Sequence, residues 1–139
     1  AILLLVGSIS IAMPSKSSRK ISKIRMEAQM MGIKISSTIY GKNKFKNKNS
    51  NPVSYQIKNT TSIKEGHFIR DKTDLILYSP VKLKYVDNFE SIEKQLKSLS
   101  KSIDELIFTE SFIFFLWKEL DGLKELKNIL DELGNLKNF

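Results

Sequence analysis

The sequence has no cysteine, which removes disulfides, thiolate zinc sites and cysteine nucleophiles together. It has one histidine, His67. It contains no glycine-rich phosphate loop, no G-x-S-x-G elbow and no H-E-x-x-H pair, so the common motif-borne catalytic sites are excluded. Acid is nearly missing from the first half: residues 1–58 hold eleven Lys/Arg against one acid, Glu27, whereas residues 59–139 hold twelve against fourteen. Nor does any uncharged apolar run reach the ~20 residues of a full membrane-spanning helix. What remains fits one compact domain of modest core plus a short appendage, since the chain has 139 residues, 41% hydrophobic and 27% charged, a globular composition.

The chain opens with thirteen uncharged residues, AILLLVGSISIAM, then Pro14 and five cations within ten positions: Lys16, Arg19, Lys20, Lys23 and Arg25. A signal peptide core should close on a small-x-small site, and SISIAMPSK offers a poor one. A buried first strand of this length exceeds the usual size and is rarely followed at once by so many cations. The run therefore reads as the inner part of a membrane span, residues 1–13, whose remainder lies upstream. The cations then orient it with the N-terminus outside and everything after Pro14 in the cytoplasm.

Residues 14–32 read as a basic juxtamembrane helix. Ile21, Ile24, Ala28 and Met31 recur at helical steps and Gly32 supplies a stop. Its other faces carry Lys16, Arg19, Lys20, Lys23 and Arg25, which suit anionic headgroups at ~1 kcal/mol per cation; the same cations also serve simply to set topology. Residues 33–139 form the domain proper. IKISSTIY and VSYQIK alternate as strands, joined by the lysine-rich loop GKNKFKNKNSNP. Residues 60–74 read as polar and turn-rich around Gly66. DLILYS and VKLKYV read as short strands divided by Pro80. Asp87 and Glu90 have capping-box spacing ahead of a helix striped by Phe89, Ile92, Leu96, Leu99 and Ile103. ELIFTES and FIFFLWKEL supply two more strands, the second apolar enough to be buried on both faces. Asp121 can cap a last helix striped by Leu123, Leu126, Leu130 and Leu133. The order predicts α+β: a truncated transmembrane helix and a basic amphipathic helix, then a small antiparallel sheet with two helices from the C-terminal half packed on one face.

Chemistry-bearing clusters are few. His67 stands near Glu65, Asp71 and Asp74, residue types that can ligate a metal but here at no recognised spacing. Asp104, Glu105 and Glu110 precede the most apolar strand; paired carboxylates can do acid–base work when burial splits their pKa values. The loop lysines Lys42, Lys44, Lys46 and Lys48 with Phe45 could meet phosphates and a base, without an accompanying nucleic-acid motif. Trp117 and Glu119 mark a core anchor or a partner interface.

The apolar stretch, Pro14-Ser15, the basic helix with Arg25 and Ala28 in R-x-x-A spacing, the strand after Gly32 and the W-x-E of Trp117 and Glu119 resemble a group of small single-span bacterial proteins. These are related in layout to the accessory subunit of the Sec preprotein translocase. The Gly-Asp pair and glycine-rich turn of that subunit are missing, since Gly32 is followed by Ile33. The resemblance implies a single-pass inner-membrane protein with a cytoplasmic domain and an accessory role in export. The expected function is a membrane-anchored, non-enzymatic protein that presents this domain to a membrane protein partner, with lipid headgroups under the basic helix and no cofactor. The alternatives are nucleic-acid binding by the basic first half and a small metal-dependent enzyme around His67.

Overall fold

The computed structural model describes residues 16–36 and 53–136. The expected anchor, residues 1–13, and the lysine-rich loop, residues 41–52, lie outside them. Among the described residues no helix is long and apolar enough to cross a membrane, so the transmembrane part of the expected architecture finds no support there. The α+β class does. The elements are α1 (Lys16–Met30), β1 (Lys34–Ser36), β2 (Ser54–Lys58), β3 (Gly66–Asp71), β4 (Asp74–Ser79), a 3-10 turn (Val81–Tyr85), α2 (Phe89–Lys97), β5 (Ile103–Phe108), β6 (Phe112–Trp117), a second 3-10 turn (Glu119–Asp121) and α3 (Leu123–Gly134). The strands form one sheet in the order β1-β2-β6-β5-β3-β4, antiparallel at every junction.

The core lies on one face of that sheet. β6 sits in the middle, where Phe115 is opposite Tyr55 on one side and Leu106 on the other. These three are fully buried, and one cluster joins them to Ile92 and Leu96 of α2 and to Leu126, Ile129 and Leu133 of α3. Both C-terminal-half helices therefore pack on one face as their stripes imply. α1 joins the same cluster through Ile24 and Ala28, so no packing boundary falls at Gly32. The helix ends there because Gly32 adopts φ +90°, a conformation glycine takes at little cost. Its N–H then reaches Gln29 O and the Ile33 N–H reaches Ala28 O, which satisfies the last carbonyls in a Schellman arrangement.

Several local expectations are corrected. Residues 66–71 are not turn-rich; they form β3, buried from Gly66 to Arg70. Arg70 is tolerated inside because it donates to three backbone carbonyls, Ile103 O at 2.6 Å, Thr73 O at 2.6 Å and Ser100 O at 2.9 Å. Burial lowers its pKa from the ordinary value, while Asp104 and Asp74 oppose the shift. VKLKYV is a 3-10 turn instead of a strand: Leu83 N–H bonds to Pro80 O and Val86 N–H to Leu83 O, so local bonds replace a ladder. Asp87 is not the cap; Asn88 holds the N-cap position of α2, without a side-chain cap bond, and the helix stops before Ile103, which belongs to β5. Asp121 does not cap α3 either. Gly122, at φ +96°, occupies that position.

Candidate membrane-facing surface

α1 has two working sides because its 3.6-residue period separates them. Ile24 and Ala28 point into the core. Lys16, Arg19, Lys23, Met26 and Met30 follow one another at steps of three and four on the opposite side, and all are exposed. Met26 is 57% and Met30 81% exposed, unusual for large apolar side chains at the surface. The helix's one acid, the half-buried Glu27, borders this stripe one turn from Lys23 and Met30.

The stripe continues past the helix end. Met31, expected on the buried side, is 47% exposed and lines a cleft of about 340 Å³ with Lys34 of β1, Lys58 of β2 and Phe112 of β6. This is a run of five cations and four apolar side chains, Met26, Met30, Met31 and Phe112, with no acid in it. The sequence reading missed Lys34, Lys58 and the methionines, since nothing in their spacing tied them to the cationic cluster.

The other two cations of the expected headgroup contact are engaged by the 3-10 turn Glu119–Asp121. Lys20 Nζ donates to Leu120 O at 2.8 Å. Arg25 donates through Nε and one terminal nitrogen to both oxygens of Glu119, at 2.6 and 2.7 Å, a bidentate geometry that fixes the helix's rotation. Tyr55 Oη donates to the same carboxylate at 2.8 Å. The hydrogen bond to Glu119 raises the Arg25 pKa above its ordinary value, against burial. Burial first, then the bond to Glu119 and its charge, push the Tyr55 phenol well up. Trp117 meets Tyr55 edge-on at 5.6 Å between ring centroids and is 4% exposed. Of the expected interface pair, the Trp117 indole fills the core and the Glu119 carboxylate is engaged by Arg25 and Tyr55. The R-x-x-A and W-x-E residues do meet, as the brace that docks α1 on the sheet.

The histidine cluster comes apart. His67 Nε2 and Glu105 Oε1 lie 2.9 Å apart, with Glu105 fully buried and its Oε2 without a hydrogen-bond partner. Asp71 and Asp74 face each other across the β3–β4 turn, at the far end of β3 from His67. Glu65 pairs with Lys82 at 3.5 Å on the surface. Among the described residues no three His, Asp or Glu side chains are grouped to hold a metal ion. Asp104 and Glu105 lie on β5 and not at a helix end. The His67–Glu105 pair escaped the sequence reading because its members are 38 residues apart on strands whose adjacency no local pattern encodes. Comparison with family models, curated proteins and solved structures finds no match, so the likeness to the translocase subunit rests on the quoted residues alone.

Proposed function

We propose that this chain is a non-enzymatic interaction domain that rests on an anionic membrane surface through the outer side of α1. The observation that carries the reading is the acid-free combination of Lys16, Arg19, Lys23, Lys34 and Lys58 with exposed Met26, Met30 and Met31. Cations draw the domain to phosphates and carboxylates of the headgroups, and the methionines add apolar contact at the acyl boundary. Nucleic acid would use the cations equally and could stack a base on Phe112, but it has no use for the exposed Met26, Met30 and Met31. The β4 edge and the turn after it, with Ile76, Val81 and Tyr85 exposed, lie at the sheet edge away from β1. A domain held at α1 keeps that edge available to a protein partner.

The test is sedimentation of the full chain with vesicles of phosphatidylglycerol and phosphatidylcholine, against phosphatidylcholine alone, across a salt series. Binding should require the anionic lipid and weaken with salt. Replacing Arg19 and Lys23 together by Ala should remove about 2 kcal/mol, a roughly 30-fold loss of partitioning. Equal binding to both vesicle types, or an unchanged partition in the double variant, defeats the reading. Binding to an oligonucleotide with a steep salt slope and none to vesicles would move the protein to the nucleic-acid class.

A further inference from the structure

The cleft beyond the end of α1 owes its shape to a side chain that the sequence does not supply. Lys34 of β1 stands opposite Gln56 of β2, and Lys58, two residues further along β2, shares their face of the sheet. Phe112 of β6 stands opposite Lys58 on one side. On its other side Lys58 has no such neighbour, because β1 begins at Lys34 and the residue two places earlier is Gly32. A Cβ added at Gly32 would meet nothing within 4 Å. A cleft of about 340 Å³ remains there, with Met31 and Phe112 among its apolar lining and Lys34, Gln56 and Lys58 as its polar groups. No acid lines it. Lys34 and Lys58 are exposed and, as diagonal neighbours on adjacent strands, stand ~7–8 Å apart at the backbone. Among the described residues the ion pairs are those of Arg25, His67 and Lys82, so neither ammonium is neutralised. Two such cations repel, and an anion placed between them reverses the sign of the interaction.

We propose that this cleft seats the phosphomonoester headgroup of a single lipid, phosphatidic acid, with Lys34 and Lys58 on the phosphate and the start of the lipid's apolar part against Met31 and Phe112. The charges match. A phosphomonoester carries ~−1.5 to −2 near neutral pH, enough for both lysines, whereas a diester headgroup carries a single negative charge. The Gln56 amide lies between the two lysines along the strands and supplies a further donor. The apolar lining argues for a lipid over a free phosphate ion, which would use the lysines and leave Met31 and Phe112, 47% and 38% exposed, open to water. Phe112 is held in place by Phe114, edge-on at 6.2 Å between ring centroids, so the wall is fixed before a ligand arrives. The inference rests on the membrane reading for its access to lipid and adds selectivity to it. Arg19 and Lys23 attract any anionic surface, whereas the cleft distinguishes one headgroup from another.

The test compares vesicles containing phosphatidic acid with vesicles of phosphatidylglycerol adjusted to the same zeta potential, so that diffuse attraction is equal. The full chain should partition about tenfold more strongly to the first, the equivalent of one further charge-assisted hydrogen bond. Lys34→Gln/Lys58→Gln, two exposed positions whose exchange leaves the core untouched, should lose that preference. Arg19→Ala/Lys23→Ala should lower binding to both vesicle types and keep their ratio. Without vesicles, dihexanoyl phosphatidic acid below its micelle concentration should shift the amide resonances of Gly32, Lys34 and Lys58 in a saturable titration, and glycerol 3-phosphate should do so far more weakly. Equal partition at matched potential overturns the cleft proposal and leaves the membrane reading standing. A preference that survives in Lys34→Gln/Lys58→Gln overturns it as well, and so does glycerol 3-phosphate binding as tightly as the short-chain lipid. Saturable binding of the short-chain lipid with no binding to either vesicle type would uphold the cleft and defeat the membrane reading, so each can fail alone.

Discussion

Glu119→Ala is the sharpest perturbation of the fold, because one carboxylate holds α1 to the sheet. It accepts two bonds from Arg25 and one from Tyr55. Without it the Tyr55 hydroxyl, on a fully buried ring, loses its acceptor at about 1–2 kcal/mol. The Arg25 side chain is 29% exposed, so water recovers part of its loss and about 1–2 kcal/mol remains. The sum, about 3 kcal/mol, is a large share of an ordinary domain's stability. With a urea slope of about 1.5 kcal/mol/M for a domain of this size, the unfolding midpoint should fall by about 2 M. An Arg25→Met variant and the double variant complete a cycle whose coupling energy should be about 1–2 kcal/mol. Trypsin should also cut faster after Arg19 and Lys23 once the helix is released. A midpoint shift below about 0.3 M, corresponding to about 0.5 kcal/mol, would mean that α1 is a dispensable linker and that the brace contributes nothing.

Gly32→Ala should cost about 1–2 kcal/mol from the positive φ alone, since no atom lies within 4 Å of the added methyl; an Asn there should cost less, by the same urea measurement. His67→Leu leaves the Glu105 carboxylate buried with no donor and should destabilise by about 3 kcal/mol or more, whereas His67→Leu with Glu105→Met should recover most of it; equal losses in both variants would refute the pairing. Tyr55 has a raised pKa in the folded state, so the folded chain holds a proton that the unfolded chain releases near the ordinary phenol value of about 10. Its contribution is complete below that pH and is lost as pH rises above it. Urea midpoints of the parent should therefore fall more steeply above about pH 10 than those of Tyr55→Phe, and parallel curves would refute the assignment.

The parts of the fold that were legible in the sequence are those where a local pattern and the tertiary environment agree. FIFFLW reads as a strand buried on both sides, and β6 is the central strand with a helix-covered face and a second buried face. The stripes of α2 and α3 read correctly at Ile92 and Leu96 and at Leu126 and Leu133, because each helix has one partner surface, but the first ran past the helix end and the second left out the fully buried Ile129. β3 was illegible for the opposite reason. GHFIRD carries two apolar residues between polar ones, and its burial depends on Glu105 and on the Ile103 and Ser100 carbonyls, which distant segments contribute. VKLKYV misled because its alternation matches a strand, while the local i to i+3 bonds settle the backbone without a neighbour.

The five-cation cluster was only half legible at the proposed membrane-facing surface. Sequence order groups Lys16, Arg19, Lys20, Lys23 and Arg25 as one patch, and net charge treats them as equivalent. A helix does not, because each residue turns ~100° from the last. Lys20 and Arg25 reach the 3-10 turn after β6, where Leu120 O accepts a hydrogen bond from Lys20 and Glu119 pairs with Arg25; Lys16, Arg19 and Lys23 face outward beside Met26 and Met30. The Arg25–Glu119 pair acts with the buried Ile24 and Ala28 to set the rotation of the helix, and that rotation decides which cations face outward. Docking and surface display are thus linked, because the brace that stabilises the domain also helps to fix which of its charges face outward, and the proposed headgroup contact depends on that set.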